Sequence, residues 1–108
     1  MAKIPENIKN IIEDYLRDLD SEIKIEKAVL FGSYAKGTYD KDSDIDLAIF
    51  SDYFKDMNRV EGIKYLLKKA RKYRGIDLEP ISFTKQDYEE RIGFVNEVLK
   101  DGIELNVN

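Results

Sequence analysis

Leu30-Phe31-Gly32-Ser33-Tyr34-Ala35-Lys36-Gly37, followed by Ser43-Asp44-Ile45-Asp46-Leu47, sets the architecture of this chain. Ile25 to Phe31 is a short apolar run that fits a strand, and Gly32-Ser33 breaks it. Ten residues then separate Ser33 from Asp44, with Gly37 and polar groups at most of the positions. That interval reads as a turn with one short helical stretch. Residues 44 to 50 alternate: Ile45, Leu47 and Ile49 share one side, and Asp44, Asp46 and Ala48 the other, the period of a half-buried strand. Two consecutive strand ends therefore carry a small-residue turn and a pair of carboxylates.

The flanking segments supply the helices. Ile8, Ile11, Ile12, Tyr15, Leu16 and Leu19 recur at three- and four-residue intervals, so residues 5 to 21 read as an amphipathic helix with Pro5 in its first turn. Residues 55 to 73 carry Val60, Ile63, Leu66, Leu67 and Ala70 at the same spacing, and Gly75 ends that helix. Ile76 to Phe83 make a third strand, whose Pro80 indicates an edge position or a bulge. Thr84, with Asp87 three residues on, has the form of a helix N-cap. A last helical region with Ile92, Phe94, Val95, Val98 and Leu99 follows, stopped near Gly102. The order helix, strand, strand, helix, strand, helix gives a small α/β or α+β sheet with helices on one face.

Composition removes several kinds of chemistry. A chain of 108 residues is a single domain, 1–108. It has no cysteine and no histidine, which excludes disulfides, thiolate nucleophiles, Cys/His zinc sites and any Ser-His-Asp mechanism. Proton transfer must fall to carboxylates, tyrosines, lysines or metal-bound water. The formal charge of −4 argues against a nucleic-acid partner, although Lys64, Lys68, Lys69, Arg71, Lys72 and Arg74 cluster on one segment, where a solvated helix face accounts for them. No apolar run approaches a membrane span and the N-terminus lacks a signal-peptide core, so a cytoplasmic location without membrane contact is expected.

Asp44 and Asp46, two apart on a strand, leave the same face roughly 7 Å apart along the chain. Magnesium prefers such hard oxygen ligands and binds through one or two carboxylates plus substrate phosphates. Two ions about 4 Å apart can clamp the attacking and leaving oxygens of an in-line phosphoryl displacement. A third carboxylate is then needed; Asp77 leads, and Glu79 shares its face two residues later. Gly32 lets backbone approach a polyphosphate, Ser33 and the exposed amides donate to it, and Lys36 adds a charge one turn away. Each feature has a plainer explanation. Asp-x-Asp can be a turn, Gly-Ser a loop, Asp77 and Glu79 edge-strand charges, Asp40 and Asp42 solvated turn residues, and Tyr34 and Tyr39 packing groups. Their conjunction at successive strand ends favours a nucleotidyl-transfer site.

Gly32-Ser33, ten residues, then Asp44-x-Asp46 resembles the signature of the DNA polymerase beta-like nucleotidyltransferases, and most of all their minimal members, over nearly the whole chain. The resemblance implies the nucleotidyltransferase fold, a small mixed sheet with helices packed on it. It also implies triphosphate bound at Gly32, Ser33 and Lys36, and two magnesium ions on Asp44, Asp46 and Asp77. The segment Ile76-Asp77-Leu78 resembles the family's Ile-Asp-hydrophobic stretch, which places the third acid at Asp77 rather than Glu79. Many members have arginine where Lys36 stands. Minimal nucleotidyltransferases commonly pair with a helical HEPN-domain protein in a toxin–antitoxin module, where the transferase moves AMP from ATP onto a partner tyrosine. ATP as substrate, a HEPN-domain partner and a homo-dimer or hetero-oligomer are the corresponding expectations. The alternatives are a binding subunit that neutralises its partner by covering it, and a transferase acting on a small molecule.

Overall fold

A computed structural model of the chain describes residues 4–107. Helix α1 spans Glu6–Asp20, and strand β1 (Lys27–Phe31) leads into the one-turn helix α2 (Ser33–Lys36). Strand β2 (Ile45–Phe50) is followed by a 3-10 turn over Asp52–Phe54, helix α3 (Arg59–Ala70) and strand β3 (Leu78–Phe83). Helices α4 (Lys85–Glu90) and α5 (Phe94–Asp101) and strand β4 (Ile103–Leu105) complete the order. The strands form one sheet, β3-β2-β1-β4. β1 runs antiparallel to β2 and to β4, whereas β2 and β3 are parallel, so α3 serves as the crossover that a parallel pair requires.

The first face of the sheet is covered by α1 and α3. Ile8, Ile12, Tyr15, Leu16 and Leu19, the apolar stripe of α1, are all buried against Leu30, Leu47, Ile49 and Leu66. The Tyr15 hydroxyl donates to the Leu66 carbonyl at 2.8 Å, which ties α1 to α3 inside that core and leaves the phenol satisfied. Helix α3 starts at Arg59, later than the apolar spacing suggests. Asn58 caps it, accepting from the Glu61 amide at 2.8 Å while Glu61 accepts from the Asn58 amide at 3.1 Å. Thr84 and Asp87 form the same reciprocal cap at α4. Pro80 lies on β3, an edge strand, where a missing N–H is tolerated.

Helices on one face only is not what forms. Val29, Ala48, Phe50 and Phe83 make a second core with Val95 and Val98 of α5, on the opposite side of the sheet. β2 is therefore half-buried only at its start; Leu47 to Phe50 are covered on both faces. The single last helix is instead two, because Arg91 turns the chain through left-handed backbone (φ 53) and Gly93 follows at φ 64. Beyond Gly102, β4 adds a strand that no apolar periodicity announces. Of the apolar residues assigned to helical faces, Leu66, Val95 and Val98 are buried, but Val60, Leu67, Ile92 and Phe94 are exposed.

The α3–β3 contact depends on Gly62, because a Cβ there would collide with the Ser82 side chain and crowd Phe54. We expect Gly62→Ala to cost about 1–3 kcal/mol in urea unfolding, the range for overpacking. Ser82→Gly on that background should return part of the loss.

Candidate active site

The turn after β1 is fixed by Gly32. Its backbone (φ 75, ψ −152) falls in a region essentially closed to residues with a side chain. A Cβ at this position would also strike the Asp46 carboxylate. Both constraints have one consequence: the main chain at the end of β1 passes directly against an acid of β2. From there α2 makes one turn, with the Lys36 amide donating to the Gly32 carbonyl at 3.1 Å, and Gly37 ends it in left-handed conformation (φ 78). Tyr34 and Ala35 point into the first core and anchor the turn, while Ser33 is part-exposed and Lys36 exposed. Tyr34 stacks on Tyr39 with ring centroids 4.4 Å apart, which settles its packing role.

The loop back to β2 is closed by its own polar groups. The Asp40 amide donates to Ser43 Oγ and the Asp42 amide to Asp40 Oδ1, each at 2.8 Å. Asp40 thus shapes the turn, as an aspartate commonly does. The chain leaves this loop at Asp44, which is exposed, and enters β2 with Asp46 partly buried.

Register supplies the rest of the site. Asp46 is paired with Phe31 on one side and with Glu79 on the other, so these three residues share the face that carries α5 further along. The Ile45 amide donates to the Asp77 carbonyl at 2.8 Å, which sets Asp77 just before β3, at the level of Asp44. Asp77 is exposed and borders a cleft of about 600 Å³ with Tyr34, Tyr39 and Asp40; Gly32, Asp44, Asp46 and Glu79 do not line it. The structure therefore brings Gly32, Asp44, Asp46 and Glu79 to one place and sets Asp77 at its margin. Phe31 and the neighbouring Phe94 were not marked by the sequence. Phe31 could have been found from its place immediately before the turn, Phe94 only from tertiary packing.

Burial, then the charges of Asp44 and Glu79, push the Asp46 carboxyl up to about 6. Negative charge accumulates here with no basic partner in hydrogen-bond contact among the described residues, an arrangement that a cation relieves. Among the described residues no three carboxylates form a group that holds an ion unaided. The donor set fits magnesium of the kind that takes one or two carboxylates and completes its shell with phosphate oxygens.

A glycine turn and paired acids thus stand at neighbouring strand ends of a small mixed α/β sheet. Residues 9–105 match the nucleotidyltransferase domain family, and the chain belongs to that family. It is 31% identical over 103 residues to the "Putative protein adenylyltransferase MJ0141" of Methanocaldococcus jannaschii, covering 91% of this chain and 98% of the relative. It is also 33% identical over 100 residues to the "Putative protein adenylyltransferase MJ0604" of the same organism, covering 89% and 95%. A crystal structure of a Sulfolobus solfataricus protein titled a putative nucleotidyltransferase superposes with a TM-score of 0.64 at 23% identity, over 96% of this chain and 89% of that one. This likeness shows the fold. The chain is a nucleotidyltransferase.

The raised Asp46 carboxyl has a measurable consequence for the metal-free protein. With its folded pKa above the unfolded value, protonation favours the fold, so stability contributed by the neutral form is present below about 4 and declines as pH rises through about 6. Above that the buried charge is a burden. In EDTA at pH 7.5, Asp46→Asn should raise stability by on the order of 1 kcal/mol after solvent screening, a few degrees in Tm. The difference should shrink towards pH 5, as differential scanning calorimetry can follow.

Proposed function

We propose that this protein transfers AMP from ATP to a hydroxyl of a protein acceptor, with magnesium held at Asp44 and Asp46. The carrying observation is the close approach of the Gly32 main chain to the Asp46 carboxylate, which leaves backbone without a side chain directly beside the acids. The names of the Methanocaldococcus relatives support the protein acceptor.

In this reading Gly32 and Ser33 amides and the Ser33 hydroxyl receive the β- and γ-phosphates, and Lys36 adds positive charge at the outer end. Asp44 and Asp46 would hold magnesium, which when bound would supply neutralisation of the triphosphate and of the charge developing at the α-phosphoryl group. The acceptor oxygen forms a bond to the α-phosphorus as the bond to the β-phosphate oxygen breaks, and pyrophosphate leaves on the Gly32 side. Asp77, at the level of Asp44 across β2 and β3, faces the acceptor and takes the hydroxyl proton. Glu79 raises the local negative charge beside Asp46. Most of the rate advantage then comes from positioning and charge stabilisation rather than from covalent participation by the protein.

The family resemblance extends the proposal to a tyrosine of a helical HEPN-domain partner, the transferase acting as antitoxin within a hetero-oligomer in the cytoplasm. In this reading the surface that presents the acceptor comes from the partner molecule.

Incubation with ATP labelled at the α-phosphate and a cell extract tests this directly. Wild-type protein should label a discrete protein band in the presence of magnesium, and EDTA should abolish the labelling. Asp44→Ala should reduce it on the order of 10³-fold with an unchanged circular dichroism spectrum. Asp77→Asn should slow transfer by about 10²-fold or more, whereas Glu79→Gln stays within about 10-fold. The reverse order would move the proton acceptor to Glu79. Neutralisation of the partner by a fully folded Asp44→Ala protein without ATP would instead establish a covering subunit.

A further inference from the structure

We infer that Phe94 is the platform on which the nucleobase of the bound nucleotide stacks; the inference rests on the nucleotidyl-transfer reading and assigns its nucleoside subsite. Phe94 is 51% exposed, although it is a large apolar residue at the start of a helix whose Val95 and Val98 are buried. Its ring meets Phe31 edge-on, with centroids 5.9 Å apart and planes at 81°. Phe31 is in turn the register partner of Asp46 on the same face of the sheet. The exposed ring therefore stands one side chain away from the carboxylates, with cross-strand neighbours about 5 Å apart at Cβ.

The chain holds it there deliberately in conformational terms. Arg91 adopts left-handed backbone at φ 53, a conformation that a non-glycine residue enters at a cost, and Gly93 takes φ 64 and ψ −128. The Arg91 guanidinium lies 4.9 Å from the centre of the Tyr88 ring, and its Nε donates to the Tyr88 carbonyl at 3.3 Å. This fixed bend directs α5 back over the sheet and delivers Phe94 to Phe31 and, at 6.5 Å, to Phe83.

In-line displacement decides what the ring meets. Acceptor and leaving pyrophosphate occupy opposite sides of the α-phosphorus. Pyrophosphate held at Gly32-Ser33 lies at the end of β1, so the acceptor comes from the β3 side, where Asp77 and Glu79 stand. The nucleoside is left the end of that face beyond the core under α5, where Phe31 is half-buried and Phe94 is the exposed ring packed against it. Stacking of a base on an aromatic side chain is tolerant of base identity, so the subsite holds a purine or pyrimidine nucleotide through its π-face rather than by edge recognition.

Equilibrium binding in magnesium, with ATP and with inorganic tripolyphosphate as separate ligands, tests the assignment. Phe94→Leu keeps an apolar side chain against Phe31 and removes the aromatic face; it should weaken ATP binding by about 10-fold and leave tripolyphosphate binding unchanged. Phe94→Tyr should bind ATP like the wild type. An unchanged ATP affinity in Phe94→Leu would overturn the inference, as would an equal loss for both ligands. A rise confined to the KM for the protein acceptor would overturn it too, making Phe94 part of the acceptor surface. Wild-type protein that binds neither ligand would sink the nucleotidyl-transfer reading itself, and this subsite with it; wild type that binds both while Phe94→Leu is normal would remove the subsite alone.

Discussion

The close approach of the Gly32 main chain to the Asp46 carboxylate is the constraint on which the site depends. Two adjacent antiparallel strands place the end of β1 opposite the start of β2, and register makes Phe31 and Asp46 neighbours. The next residue must then turn away without a side chain, because any Cβ would occupy the space of the acid. The turn, the one-turn helix after it and the orientation of the acids are thus a single geometric solution. Tyr34 locks it from below by burying its ring in the first core, and Asp40 and Ser43 lock it from the loop side.

The body of the domain carries the energetic burden of that arrangement. Asp46 is partly buried at one end of the sheet, and that burial first, then the charges of Asp44 and Glu79, raise its pKa. The same strand is covered on both faces two residues later, with Leu47 and Ile49 in one core and Ala48 and Phe50 in the other. Burying each such apolar side chain is worth about 1.5–3 kcal/mol before conformational entropy is counted. A strand anchored in this way can hold an unfavourable charge at its tip. Active sites commonly concentrate strain and like charge for this reason.

The parts of this architecture legible in the sequence are those written in local patterns. Gly32-Ser33 after an apolar run, Asp44-x-Asp46 at the head of an alternating one, Pro80 on an edge strand and Thr84 with Asp87 as a cap each have a short-range physical cause. What stayed hidden is long-range. Ala48 looks like a solvent-side residue in the alternation, and only the packing of α5 reveals a second core. Arg91 carries no glycine signal for the left-handed turn it makes, so α4 and α5 read as one helix. β4 is three residues long and exists because β1 offers it an edge. The neighbour of Asp46 on β3 is set by register, and a shift of one residue would move every side chain to the other face. Asp77 and Glu79 could therefore be named as candidates from their shared alternation, yet only the strand pairing shows which of them lies beside Asp46.

Fold and family are common to proteins that modify many kinds of acceptor, and function resides in the site. In this chain the candidate site is a glycine turn with two or three acids, to which we add an exposed ring, assembled from the strands and helices around one mixed sheet. Anomalous scattering from manganese in crystals grown with a non-hydrolysable ATP analogue would locate the metal directly. Manganese should be bonded to carboxylate oxygens of both Asp44 and Asp46, with the triphosphate lying across Gly32 and Ser33. Manganese bound instead in the cleft between Tyr34 and Asp77, or a triphosphate that leaves the Gly32 turn untouched, would contradict it.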